Sequence, residues 1–120
     1  MSLLSTALVV LVAVEHLWFL VLEMFLWTRP LGLKTFRNTP EFARQSAALA
    51  ANQGLYNGFL AAGLLWGALH PVPEVGRQVQ LFFLACVVVA GLYGAATVSR
   101  RIFFLQALPA LAALGAVAVA

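Results

Sequence analysis

Four apolar stretches, at about 3–27, 45–69, 79–98 and 102–120, fill most of this chain, and each is near the ~20 residues that an α-helix needs to cross the hydrocarbon of a bilayer. Only helices fit that role here. Strand-type alternation is absent, and an open sheet would leave backbone groups unpaired in lipid. Composition points the same way: at 63% hydrophobic and 9% charged, 120 residues carry too little polar surface to cover a soluble globule. The expected fold is all-α, a four-transmembrane-helix bundle forming a single domain over 1–120. Its helices are expected at about 3–27, 40–69, 76–98 and 102–120.

The breaks between the stretches are Arg29-Pro30, then His70-Pro71-Val72-Pro73, then Ser99-Arg100-Arg101. Thr39-Pro40-Glu41 reads as a helix start, with an N-cap, a proline at the first helical position and an acid near the positive end of the dipole. Arg29, Lys34, Arg37, Arg44, Arg100 and Arg101 fall in the first and third connections, whereas the second has only Arg77. The positive-inside rule then places the first and third connections in the cytoplasm and both termini outside, N-out/C-out. The N-terminal stretch is too long for a signal peptide and lacks a basic leader, so it is expected to be retained as the first helix.

That helix carries Glu15, His16 and Glu23, and ionisable groups in a membrane span are costly enough to suggest function. Fifteen Leu, Val and Phe residues between Leu3 and Trp27 favour insertion, by at most about 5–9 kcal/mol on the insertion scale. Two ionised carboxylates near the centre, at roughly 3 kcal/mol each, would cancel most of this. Insertion is easier with hydrogen-bonding partners or a proton on one carboxyl. On a 3.6-residue period Glu15 and Glu23 differ by only about 80°, with His16 on the flank, so all three share one face.

The second helix has two faces. With Asn52 at zero, Tyr56, Gln53 and Asn57 fall at about 40°, 100° and 140°, while Ala61, Gly54 and Gly58 gather at about 180–240°. Gly54 to Gly58 and Gly63 to Gly67 are GxxxG patterns that permit close backbone approach, within the bundle or between subunits. In the third helix Tyr93 shares a stripe with Cys86 and Thr97, and in the fourth Gln106 precedes Pro109, which is expected to bend that helix. Antiparallel descent places Glu15 level with about Asn57, and Glu23 roughly 12 Å deeper, near 49–53. Trp18, mid-helix, is expected to pack, and Trp27 and Trp66 to sit in the aromatic belts.

The candidate site is therefore Glu15, His16, Glu23, Asn52, Gln53, Tyr56, Asn57, Tyr93 and Gln106. It combines carboxylates that can take a proton, amides that donate and accept, and phenols that can close a hydrogen-bond chain. A proton relay or a pocket for a small polar solute uses such parts, and so does a purely structural network. The adjacent side chains of Glu15 and His16 diverge by about 100°, so the pair is not a metal site by itself, although Glu23 or another helix could complete one; no metal is expected. A single cysteine, Cys86, allows no internal disulfide or CxxC redox pair. There is no phosphate-cradling glycine loop, and the basic balance belongs to the connections, so no nucleic-acid partner is implied. No cofactor is expected. The partners are the lipid bilayer, an unknown small solute and further copies of the chain, since four short helices alone enclose little space.

Several runs resemble one family. They are Glu15 followed by Leu22-Glu23-Met24-Phe25-Leu26-Trp27, then Ala51-Asn52-Gln53-Gly54-Leu55-Tyr56-Asn57-Gly58, then Ala90-Gly91-Leu92-Tyr93-Gly94-Ala95, and finally Gln106 with Pro109-Ala110. Together they resemble the domain of unknown function 1304 family of small bacterial integral membrane proteins, most specifically at Asn52–Gly58. The resemblance implies a multi-pass protein of the bacterial cytoplasmic membrane and no particular reaction. Arg44 followed by Ala51-Asn52 and Gly63-Leu64-Leu65-Trp66 also looks like the membrane-associated proteins of eicosanoid and glutathione metabolism. That second likeness implies an enzyme of glutathione-transferase-like type, a trimer binding glutathione between subunits. The sequence departs from it where Gly54, Leu55 and Tyr56 follow Asn52. Transport or binding of a solute, glutathione-type catalysis and an accessory structural role are the readings left open.

Overall fold

The computed structural model describes residues 2–120 and is helical throughout, with no strand among the described residues. Helix α1 spans Leu3–Met24, α2 Pro30–Phe36, α3 Pro40–Leu69, α4 Pro73–Thr97 and α5 Leu108–Val119, with a π-helical turn, Phe103–Ala107, leading into α5. By length and composition α1 and α4 are apolar enough to cross a membrane. The final helical stretch, Phe103–Val119, is apolar but shorter.

Local chemistry explains the ends. Ser2 caps α1, its Oγ accepting from the Ser5 N–H at 3.0 Å. Thr39 caps α3 as its sequence predicts, its Oγ1 accepting from the Phe42 N–H at 3.2 Å. Helix α1 ends at Met24, short of the expected Trp27, and α2 has no counterpart in the apolar pattern. It starts on Pro30, whose missing N–H costs nothing at the first helical position. The bend expected at Pro109 is a π-turn just before it. Proline cannot donate to the carbonyl four residues back, and the Leu108 N–H reaches Phe103 O in the wider register.

The chain divides into two compact units, 1–14 with 60–120, and 15–59. In the first, α4 packs against the π-turn and α5. The core is built from Val9, Val12, Ala61, Leu64, Leu84, Val87, Ala110, Ala113 and Val117. Close backbone approach fixes these crossings. A Cβ at Gly91 would lie 2.6 Å from the Ala107 backbone nitrogen, and one at Gly76 would collide with Gly67 O. Arg77 donates from Nη2 to Ala118 O at 2.9 Å, satisfying a carbonyl at the negative end of α5. That gives the lone basic residue of the second connection a structural task.

In the second unit α2 folds back on the end of α1. Gly32 is buried, and a Cβ there would overlap Leu26 O. The Trp27 ring rests on Phe36, centroids 4.8 Å apart, and its Nε1–H donates to Ser46 Oγ at 3.1 Å. Trp18, expected to pack, is exposed. It lies on the face of α1 away from Leu20, Glu23 and Met24, the residues that meet Gly54 and Gly58.

Gly91 and Gly115 form an internal contrast, because nothing lies within 4 Å of a Cβ added at Gly115. Gly91→Ala is expected to lower the stability of the purified protein by about 1–3 kcal/mol through overpacking. Gly115→Ala should raise it by up to about 1 kcal/mol, the helix-propensity difference. Thermal unfolding of the two variants side by side checks this, and equal stabilities would mean that the Gly91–Ala107 contact is not close.

Candidate functional site

Seven of the nine predicted site residues, Glu15 to Asn57, fall within the second unit. At its centre Asn57 Nδ2–H donates to Glu23 Oε1 at 2.5 Å. Both are buried, Glu23 at 6% and Asn57 at 8% exposure. Glycine makes this meeting geometrically simple. A Cβ at Gly54 would sit 2.8 Å from Met24 Cγ and 3.0 Å from Glu23 Cβ, and one at Gly58 would touch Leu20 Cδ1. The first GxxxG pattern is therefore spent within this unit, seating α3 on the last turns of α1. Asn57, one turn from Gly54 and adjacent to Gly58, is carried into reach of the carboxyl.

This pairing corrects the expected depth. Sequence spacing set Asn57 level with Glu15, yet its partner is Glu23, two turns further along α1. The reason is α2: the connection is itself a helix laid against the end of α1, so α3 meets α1 eight residues out of the register that a simple hairpin would give.

Glu15 and His16 lie two turns back on the same helix, about 12 Å from Glu23 along the axis. His16 is fully buried, with its ring edge-on to Phe19 at 5.2 Å and Nδ1 4.0 Å from Glu15 Oε1. That Glu15 oxygen is buried and accepts no hydrogen bond among the described residues. Glu23 accepts no side-chain hydrogen bond there beyond the one from Asn57. A carboxyl group has about four lone-pair positions. Both acids thus keep acceptor capacity on an otherwise apolar helix.

The remaining predicted residues fall into two groups. Asn52, Gln53 and Tyr56 are exposed, the Tyr56 ring lying 6.1 Å from that of Phe59. Tyr93 and Gln106 belong to the first unit. Tyr93 is 72% exposed and lines a shallow apolar groove on α4 with Cys86 and Val89, while Gln106 is half-buried in the π-turn. Among the described residues no three His, Cys, Asp or Glu side chains gather as metal ligands would. Sequence reasoning passed over Gly32 and α2, whose one signal was a proline followed by Leu33 and Phe36 three residues apart.

Residues 10–118 match the family described as Protein of unknown function (DUF1304), and the chain belongs to it. It is 28% identical over 108 residues to the uncharacterized protein YpaA of Lactococcus lactis subsp. lactis (strain IL1403), covering 88% of this chain and 89% of that protein. No solved structure matches.

The Glu23–Asn57 contact predicts a measurable coupling. A double-mutant cycle with Glu23→Ala and Asn57→Ala, read by reversible unfolding in detergent, should give an interaction energy of about 1 kcal/mol. Strictly additive single effects would show that the hydrogen bond does not form in solution.

Proposed function

We propose that this DUF1304 protein is a small multi-pass protein of the bacterial cytoplasmic membrane, in which Glu23 couples a proton or cation to the binding or movement of a small polar solute. The observation that carries the reading is a buried carboxyl on an apolar helix whose one side-chain hydrogen bond among the described residues comes from a buried amide. A purely structural role would be served as well by two amides, without the expense of an acid in lipid. Glu15 and His16, on the same face of α1 and two turns away, supply a second protonatable step. The amide of Asn57 orients the Glu23 carboxyl, leaving its other oxygen for the proton, cation or solute.

In this reading the chain has four spans, α1, α3, α4 and the stretch from the π-turn through α5. Helix α3 is 30 residues long, about 45 Å, so it can reach across a bilayer and extend into the aqueous phase. Its amides lower its hydropathy, and the exposed Asn52 and Gln53 are polar groups that lipid does not satisfy. A second copy of the chain covers them in the membrane, which makes the working unit a homo-oligomer.

Two measurements test the proposal. In a Cys86→Ala background, Glu74→Cys should react with an impermeant thiol reagent added to intact cells, and Thr35→Cys should be protected. Labelling of Thr35→Cys from outside would overturn the N-out/C-out arrangement. For the site, melting temperatures of wild type and Glu23→Gln would be compared in detergent across pH 5–9, with sodium, potassium, small amino acids and reduced glutathione as probes. Wild type should be stabilised by a cation or solute, by about 2.7 kcal/mol at a hundredfold excess over its dissociation constant. Glu23→Gln should stay folded and lose that response. An identical response from the two proteins would sink the role of Glu23, and stabilisation of both by glutathione alone would favour a thiol-using enzyme.

A further inference from the structure

We propose that the segment from Arg29 to Arg44 is a docking surface for the headgroups of anionic phospholipids. Arg29, Lys34, Arg37 and Arg44 are all exposed, and none forms an ion pair or a side-chain hydrogen bond among the described residues. The one acid in the segment, Glu41, lies in the first turn of α3, where its charge answers the positive end of that helix. Four cations thus stand unneutralised on a short stretch of chain. A surface of that kind is drawn to anionic lipid at about 1 kcal/mol per basic residue.

Apolar anchors accompany the charges. Leu31 and Phe42 are exposed within the same segment. Phe36 lies between them in sequence, stacked on Trp27, whose indole N–H is held by Ser46. Exposed aliphatic and aromatic groups beside cations suit the boundary between headgroups and acyl chains, where each part meets the environment it prefers.

The backbone adds an independent sign. Arg37 occupies the left-handed conformation at φ 56° that ends α2, with its own N–H and that of Asn38 both turned to Leu33 O. Glycine adopts this conformation freely, whereas an L side chain is strained in it. A cation held at a position that glycine would occupy at lower energy is explained when its charge has a partner outside the chain.

The inference goes beyond the proposed solute site and rests on the membrane placement, so the test separates the two. In a Trp18→Phe/Trp66→Phe background Trp27 is the sole indole and lies beside the segment. This protein would be reconstituted in phosphatidylcholine vesicles containing phosphatidylglycerol, with either lipid brominated on its acyl chains, and Trp27 quenching recorded. Brominated phosphatidylglycerol should be preferred about tenfold or more, and Lys34→Gln with Arg44→Gln should each reduce the preference by about fivefold. Equal quenching by the two lipids would overturn the headgroup surface while leaving the membrane reading intact, and no quenching by either would remove both. Loss of the preference in millimolar inorganic phosphate would reassign the segment to free anions. An equal loss from Arg100→Gln/Arg101→Gln would reduce it to general surface charge. Either result ends the proposal.

Discussion

Glycine positions where a side chain would strike a neighbouring segment decide how these helices meet. Gly32 against Leu26 O, Gly54 against the Glu23 and Met24 side chains, Gly76 against Gly67 O and Gly91 against the Ala107 backbone are four such places, and each lies within one of the two units. Apolar side chains alone would not fix these crossings, since leucine and valine surfaces slide past one another at small cost. A Cβ-free contact has only one register at which it closes. The buried valines and leucines of the first unit then pack in whatever geometry those contacts leave.

The same device governs the chemistry. Gly54 lets α3 approach α1 at the turn that carries Glu23, and Asn57 follows one turn later on the same side of α3. Packing and polarity are therefore joined: a residue that pushed the helices apart would strip the carboxyl of its amide as surely as mutation of Asn57 itself. An isolated carboxylate among apolar side chains is expensive. The hydrogen bond lowers that expense without neutralising the acid, as an arginine or lysine partner would.

Much of this was readable from residue spacing, and the failures have identifiable causes. Helix existence, the Thr39 cap and the disturbance at Pro109 follow from local rules that tertiary structure did not override. The face of α1 bearing Glu15, His16 and Glu23 also follows from periodicity. What spacing could not supply was the register between α1 and α3, because the connection contains a helix too short to show in a hydropathy pattern. Nor did the list of α3 polar residues reveal which one turns inward. The clue was angular: Asn57, at about 140°, lies nearest the glycine face at 180–240°, whereas Asn52 and Tyr56, at about 0° and 40°, lie on the opposite side of the helix. A polar residue bordering a small-residue face is carried into the contact, and one opposite that face is left outside.

The charge pattern divides in a parallel way. Arg77 makes a structural bond to the last turn of α5, so its presence in the second connection does not weaken the asymmetry read from the other basic residues. Arg29, Lys34, Arg37 and Arg44 make no such bonds, and one of them is held in a backbone conformation that costs energy. Charges that serve the fold are found against carbonyls or acids of their own chain. Charges that do not are free to act on what lies outside it, and on a segment that also exposes Leu31 and Phe42 the medium that satisfies both requirements is an anionic lipid surface.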